Sequence, residues 1–152
     1  GWNNVKLQII MMNIIKFLKI IFLVLFLSNN SLASTNYYEE GVAFFKKNQF
    51  EKARFKFEQD LVYNPKSENS YLYLSKIYKV LDKKKLEEHN LKTVILLNPK
   101  NEEAILNLAE LRLKESDYDG SKKLIDQLLN TCKNYCQESK NLKIEVENSL
   151  IK

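Results

Sequence analysis

Glycine and proline are scarce in this chain, with three glycines and two prolines among 152 residues. So few turn-formers exclude a β-sandwich or barrel, which needs a turn signal every ten residues or so. One histidine, His89, is all that a His-based catalytic set has to draw on. It stands in a charged run beside Glu87 and Glu88 and reads as an exposed spectator rather than a general base. Glycine-rich phosphate loops are absent, since Gly41 and Gly120 stand alone. Glu39-Glu40, Glu102-Glu103 and Lys83 to Lys85 read most simply as solvated helix faces. No enzyme and no cofactor is expected.

Acidic residues are missing from one region only. Residues 1–33 hold Lys6, Lys16 and Lys19 and no acid. Removing those three from the 24 basic side chains leaves 21 against 19 acidic ones, so the chain's net +5 falls to +2. A balance this even carries no electrostatic footprint for phosphate backbones, so nucleic acid is not an expected partner.

What the chain does have is a period. Asn64-Pro65 recurs as Asn98-Pro99, 34 residues on. The same step relates Tyr37, Tyr71 and Ile105; Gly41, Ser75 and Ala109; Phe44, Tyr78 and Arg112; Ala53, Glu87 and Ser121; and Phe57, Leu91 and Ile125. Within the first copy, Tyr37, Gly41, Phe44 and Phe45 lie on one face of a helix. Asn48, which tolerates left-handed backbone, interrupts it. Phe50, Ala53, Phe57 and Leu61 mark a second helix, ended by Asn64-Pro65 because the residue before proline avoids helical angles. Gly41 and Ala53 let the two backbones approach. Such a hairpin cannot bury its apolar faces alone, and stacking completes the core.

This series of large, small, aromatic, small, aromatic and proline positions resembles the tetratricopeptide repeat (TPR). The resemblance implies an all-α array of helical hairpins wound into a right-handed superhelix. Three repeats are expected at 34–67, 68–101 and 102–136, followed by a capping helix at 137–152, seven helices in all. Copy two departs at Glu87, where a small residue belongs, so either Leu86 turns inward or Glu87 extends to solvent. Copy three departs at Arg112, Ser121 and Lys133, the last standing in the proline's place. In the cap, Leu142, Val146, Leu150 and Ile151 form a stripe while Lys140, Lys143, Glu145 and Glu147 face water.

In such arrays the first helix of each pair lines a concave surface that binds peptides. Mapped here, it comprises Tyr38, Val42, Phe45 and Lys46, then Leu72, Tyr73, Lys76 and Lys79, then Leu106, Asn107, Glu110 and Leu113. Tyr38, Phe45 and Tyr73 are the candidate anchors, and Lys76 with Lys79 would favour an acidic segment. The bland alternative has Tyr38 and Phe45 simply packing against the N-terminal edge. The lysine and asparagine with which some chaperone-associated relatives clamp a terminal carboxylate are replaced by Tyr38 and Val42, so that mode is not expected. A protein or peptide partner is expected, or else permanent incorporation as a structural subunit of a bacterial envelope complex.

Cys132 and Cys136 are the only cysteines. In an oxidising compartment they read as a disulfide stapling the turn at Lys133-Asn134-Tyr135; on one continuous helix the pair would sit awkwardly for bonding, leaving two free thiols. Their spacing matches neither a Cys-x-x-Cys redox motif nor a haem attachment site, and two thiolates are two ligands short of structural zinc.

Residues 1–10 precede Met11-Met12 and read as an upstream extension outside the fold. From Met11, Lys16 and Lys19 precede eight apolar residues, Ile20 to Leu27, and the segment ends in Ser31-Leu32-Ala33. These are the parts of a secretory signal peptide at 11–33. The Lys-, Asn- and Ile-rich composition is of a bacterial kind, which points to the periplasm or secretion. The alternative is an inner-membrane anchor through residues 14–27, but the apolar run is well short of the ~20 residues a span needs. The membrane is expected as a partner only if the segment stays uncleaved. N-terminal sequencing of native protein is expected to start at Ser34, in the periplasmic fraction; residues 12–30 still attached would contradict the assignment.

Overall fold

The computed structural model describes residues 1–28 and 36–151. The chain forms two units, Gly1–Thr35 and Asn36–Lys152. In the first, α1 runs Trp2–Ser28 and exposes its large apolar side chains between Trp2 and Ile21. Among the described residues no helix is long and apolar enough to cross a membrane. Ser31-Leu32-Ala33 and Ser34, the expected cleavage site, lie outside the described residues.

The second unit holds the seven expected helices; α1 is an eighth, in residues set aside as leader. They are α2 (Tyr37–Lys46), α3 (Phe50–Tyr63), α4 (Glu68–Val80), α5 (Lys84–Leu97), α6 (Glu102–Lys114), α7 (Tyr118–Leu129) and α8 (Cys136–Leu150). The described residues of the chain contain no strand. Each consecutive pair α2/α3, α4/α5 and α6/α7 packs as a hairpin, and each hairpin packs on the next.

The hairpin turns repeat in detail. Asn48, Asp82 and Ser116, one per copy and 34 apart, have φ of 57°, 52° and 62°. At each, the next amide reaches back to close the helix: Gln49 N–H to Phe44 O at 3.0 Å, Lys83 N–H to Tyr78 O at 2.9 Å, Asp117 N–H to Arg112 O at 2.8 Å. This is a Schellman closure, which satisfies carbonyls that the helix end would leave orphaned. Opposite ends are set by side chains: Asn36, Ser67, Asn101 and Asp117 accept the amides of Glu39, Ser70, Ala104 and Gly120.

The core is a chain of three clusters, and each straddles a junction. Ala53 and Phe57 pack with Leu74, Ile77 and Tyr78. Leu72, Leu91 and Val94 pack with Ala104, Leu108 and Leu111. Ile105, Leu106, Ala109, Ile125 and Leu128 pack with Leu142 and Val146 of α8. α8 thus supplies what a fourth first helix would. It begins at Cys136 rather than 137, and only Leu142 and Val146 of its predicted stripe are buried; Leu150 and Ile151 are exposed.

Two departures from the consensus, Glu87 and Arg112, are explained by their neighbours. Glu87 neither shifts the register nor reaches solvent: it is 5% exposed, at the small position, while Leu86 is exposed. The repeat's helical register outweighs the preference of one side chain. Arg112 is no decay of an aromatic site. In copy one, Tyr78 Oη lies 3.4 Å from Glu58, which is paired with Arg54 at 2.7 Å. In copy two the corresponding pair is reversed, Glu88 with Lys92 at 2.6 Å, and Arg112 closes on Glu88. In copy three Lys122 pairs with Asp126 at 2.9 Å, and Lys143, predicted to face water, joins it at 3.0 Å.

A buried pair changes the same way. Asp60 accepts from Ser70 Oγ at 2.5 Å and from Asn64 Nδ2 at 2.9 Å. One repeat later those positions are Val94 and Ala104, both fully buried. The polar contact is replaced as a unit, which leaves no buried group unpaired.

Gly41 is buried, and a Cβ built on it would stand 2.8–2.9 Å from the ring of Phe57. At later copies Ser75 goes with Leu91 and Ala109 with Ile125, so the small position gains atoms where the ring is lost. Gly41→Leu is expected to cost about 1–3 kcal/mol by overpacking. Lys46→Leu, on an exposed residue, is expected to cost less than about 0.5 kcal/mol. Equal shifts in thermal melting would refute this register.

Candidate functional site

The first helices α2, α4 and α6 form one layer, with α2 touching α4 and α6 touching α8. The twelve residues mapped to this layer separate into three groups.

The first group is aromatic. Tyr73 stacks on the buried ring of Phe57, centroids 4.9 Å apart and planes 12° apart. Phe45 meets Tyr73 edge-on at 5.1 Å and Phe50 at 5.5 Å. Tyr38 meets Tyr73 at 6.0 Å and Phe57 at 5.9 Å. Each of these three candidate anchors is half-buried against the core, with Val42 beside them. Burial, then the neighbouring Tyr73, pushes the Tyr38 phenol up. Offset and edge-to-face contacts of this kind are the favoured arrangements of aromatic pairs.

The second group is charged and already paired. Lys76 Nζ lies 2.7 Å from Glu103 and 5.0 Å from the centre of the Tyr73 ring. Lys79 Nζ lies 2.6 Å from Glu110. Both lysines, expected to favour an acidic segment, already pair with carboxylates that α6 supplies. The signal was present in the sequence, because the pairs are separated by 27 and 31 residues. Those spacings fall two turns and one turn short of the 34-residue repeat, which aligns them on adjacent parallel helices. Lys46 is exposed.

In the third group, two of the five residues do not line the surface. Leu72 and Leu106 are 7% and 6% exposed, each in a cluster shared with the next first helix or with α8. The same position in copy one, Tyr38, faces Tyr73 and stays half-open. Asn107, Glu110 and Leu113 are half-buried on α6.

Two acids outside the mapped set matter more than sequence suggested. Glu102, taken for a solvated residue, accepts three consecutive amides, Lys133 and Asn134 at 2.8 Å and Tyr135 at 3.0 Å. The Asn134 amide first, then those of Tyr135 and Lys133, holds its carboxyl below the usual range. Glu68, its counterpart one copy earlier, accepts from Asn98 and Asn101 side chains at 3.1 Å. Lys133 replaces a proline, so it has the N–H that makes the third copy's arrangement available.

Glu87 is the other. Burial raises its carboxyl, while Lys79 and Lys114 oppose the rise and Glu110 and Glu115 add to it. His89 is exposed. Among the described residues no group of three His, Cys, Asp or Glu side chains is placed to hold a metal ion.

With this geometry established, comparison with solved structures identifies the fold. The first TPR of Spaghetti (RPAP3) bound to an HSP90 peptide is 18% identical; the match covers 76% of this chain and 91% of that one, with a TM-score of 0.70. The TPR2B domain of yeast Sti1 in a pHsp70 complex is 14% identical over 74% and 94%, at 0.68. The Yersinia enterocolitica chaperone SycD, in complex with a peptide of the translocator YopD, is 12% identical over 79% and 98%, at 0.71. The chain folds as a tetratricopeptide-repeat array. No family model matches the sequence, and no curated protein does.

Glu87→Gln tests the buried acid. A carboxyl whose folded pKa is raised binds its proton more tightly when folded, so stability falls as pH rises above the ordinary value of 4.5. The variant is expected to melt at a higher temperature than the parent at pH 7. The gain should shrink toward zero below pH 4.5, where both side chains are neutral. Thermal melts at pH 4 and 7 showing no gain at pH 7 would refute it.

Proposed function

We propose that this chain is an exported interaction module of the bacterial envelope, holding a segment of a protein partner against the layer formed by α2, α4 and α6. Binding, not catalysis, is its whole activity in this reading. The observation that carries it is the half-open seam of Tyr38, Val42, Phe45 and Tyr73, backed by Phe57. Large, pre-ordered aromatic groups with one face accessible are what concentrates binding energy in a few residues. The seam supports an apolar segment, since Lys76 and Lys79 already have their partners. Structures of the same fold hold peptides: RPAP3 an HSP90 peptide and SycD a translocator peptide. Export rests on the leader-like order of residues 11–33, which stands on sequence alone.

A second reading makes the chain a permanent subunit of a larger envelope complex. Phe55, Val62 and Leu96 favour it, being 55%, 76% and 81% exposed on the second helices, away from the seam. A permanent subunit would self-associate or precipitate when purified alone.

Crosslinking capture from the native envelope, paired with thermal melting, tests the proposal. Tyr38→Ala and Phe45→Ala are expected to lose the captured partner, a cost of about 2 kcal/mol or more in binding for a true anchor, with small changes in melting. Tyr73→Ala, which removes the stack on Phe57, should lower both. Early melting with the partner retained in all three variants would overturn the reading.

A further inference from the structure

We propose that the Cys132–Cys136 disulfide is a redox latch that keeps α8 docked, and with it the cleft between α6 and α8. Its bridged residues, with Cα atoms 5.4 Å apart, flank the turn from α7 into α8. Both cysteines are half-buried rather than sealed in the core, so a small reductant can reach them. Tyr135, at the start of α8, provides no side-chain cap, whereas Ser67 and Asn101 cap the equivalent helices α4 and α6. The turn is held instead by the carboxylate of Glu102, which needs the amides of Lys133, Asn134 and Tyr135 aimed together. A closed ring across those three residues restricts the turn to conformations of that kind.

The consequence is local. In a stacked array each element is stabilised by its neighbours, and a terminal one has neighbours on one side only. α8 packs on α7 and α6 and buries Leu142 and Val146. It also forms one wall of a cleft of about 350 Å³, with Leu142, Glu145 and Ser149 facing Glu110, Leu113 and Lys114. Reduction by a dithiol breaks the S–S bond: two electrons and two protons convert it to two thiols, and the dithiol becomes a cyclic disulfide. The freed turn then holds Glu102 less often, and α8 with its wall of the cleft opens more often.

Amide hydrogen exchange of the full chain tests this, oxidised, after treatment with dithiothreitol, and after reoxidation. Exchange at residues 133–135 and along α8 is expected to quicken about tenfold or more on reduction. It should return on reoxidation, with α2 to α5 unchanged. Cys132→Ser/Cys136→Ser should match the reduced protein; if that variant does not fold, the reversible reduction decides alone. Unchanged exchange in α8 would overturn the proposal. So would acceleration spread evenly over α2 to α8, which would make the bond a global staple rather than a latch.

Discussion

No helical hairpin in this molecule buries its own apolar surface. Each core cluster needs residues from the next first helix: Leu74, Ile77 and Tyr78 for Phe57, then Ala104, Leu108 and Leu111 for Leu91 and Val94. The cooperative unit is therefore the junction, and a repeat boundary drawn at Pro65 or Pro99 cuts through a core cluster. α8 is required by the same logic, because Ile125 and Leu128 would otherwise face water. The aromatic seam is a product of the first junction. Phe57 fills the space left by Gly41, and its far side gives Tyr73 a ring to stack on.

The fold was legible where it depends on backbone and size. Asn48 foretold a left-handed turn, and the 34-residue step carries that reading to Asp82 and Ser116, residues that give no such signal with equal force. Gly41, Ala53 and the aromatic positions reported close packing because those roles tolerate few residue types. The candidate surface was less legible. A helical wheel distinguishes the inner side of α4 from its outer side, but not the arc that faces the groove from the arc that faces α6. Leu72 and Leu106 fell on the wrong side of that line. Lys76 and Lys79 looked like free charges because their partners lie on another helix. Glu87 failed differently: no local rule permits an acid at the closest approach of two helices, and only the cumulative packing of α5 keeps it there.

Polar residues give the junctions individual character. The first is joined by Tyr78 against the Arg54–Glu58 pair, the second by Arg112 against Glu88, the third by Lys143 against Asp126. None of these exposed or half-exposed contacts is worth much alone. Their value lies in being mutually exclusive, since the sign at each helix surface is chosen for one neighbour.

The Asp60–Ser70 contact carries that logic into the core and fixes the order of the modules. If copy three followed copy one directly, Ala104 would stand where Ser70 now donates, and Asp60 would remain buried without that hydroxyl. Arg112 would meanwhile arrive opposite Arg54. Although the copies share one length and one backbone, they are not interchangeable parts. Removing the middle repeat would cost Asp60 its buried hydroxyl partner and set two guanidinium groups against each other at one seam.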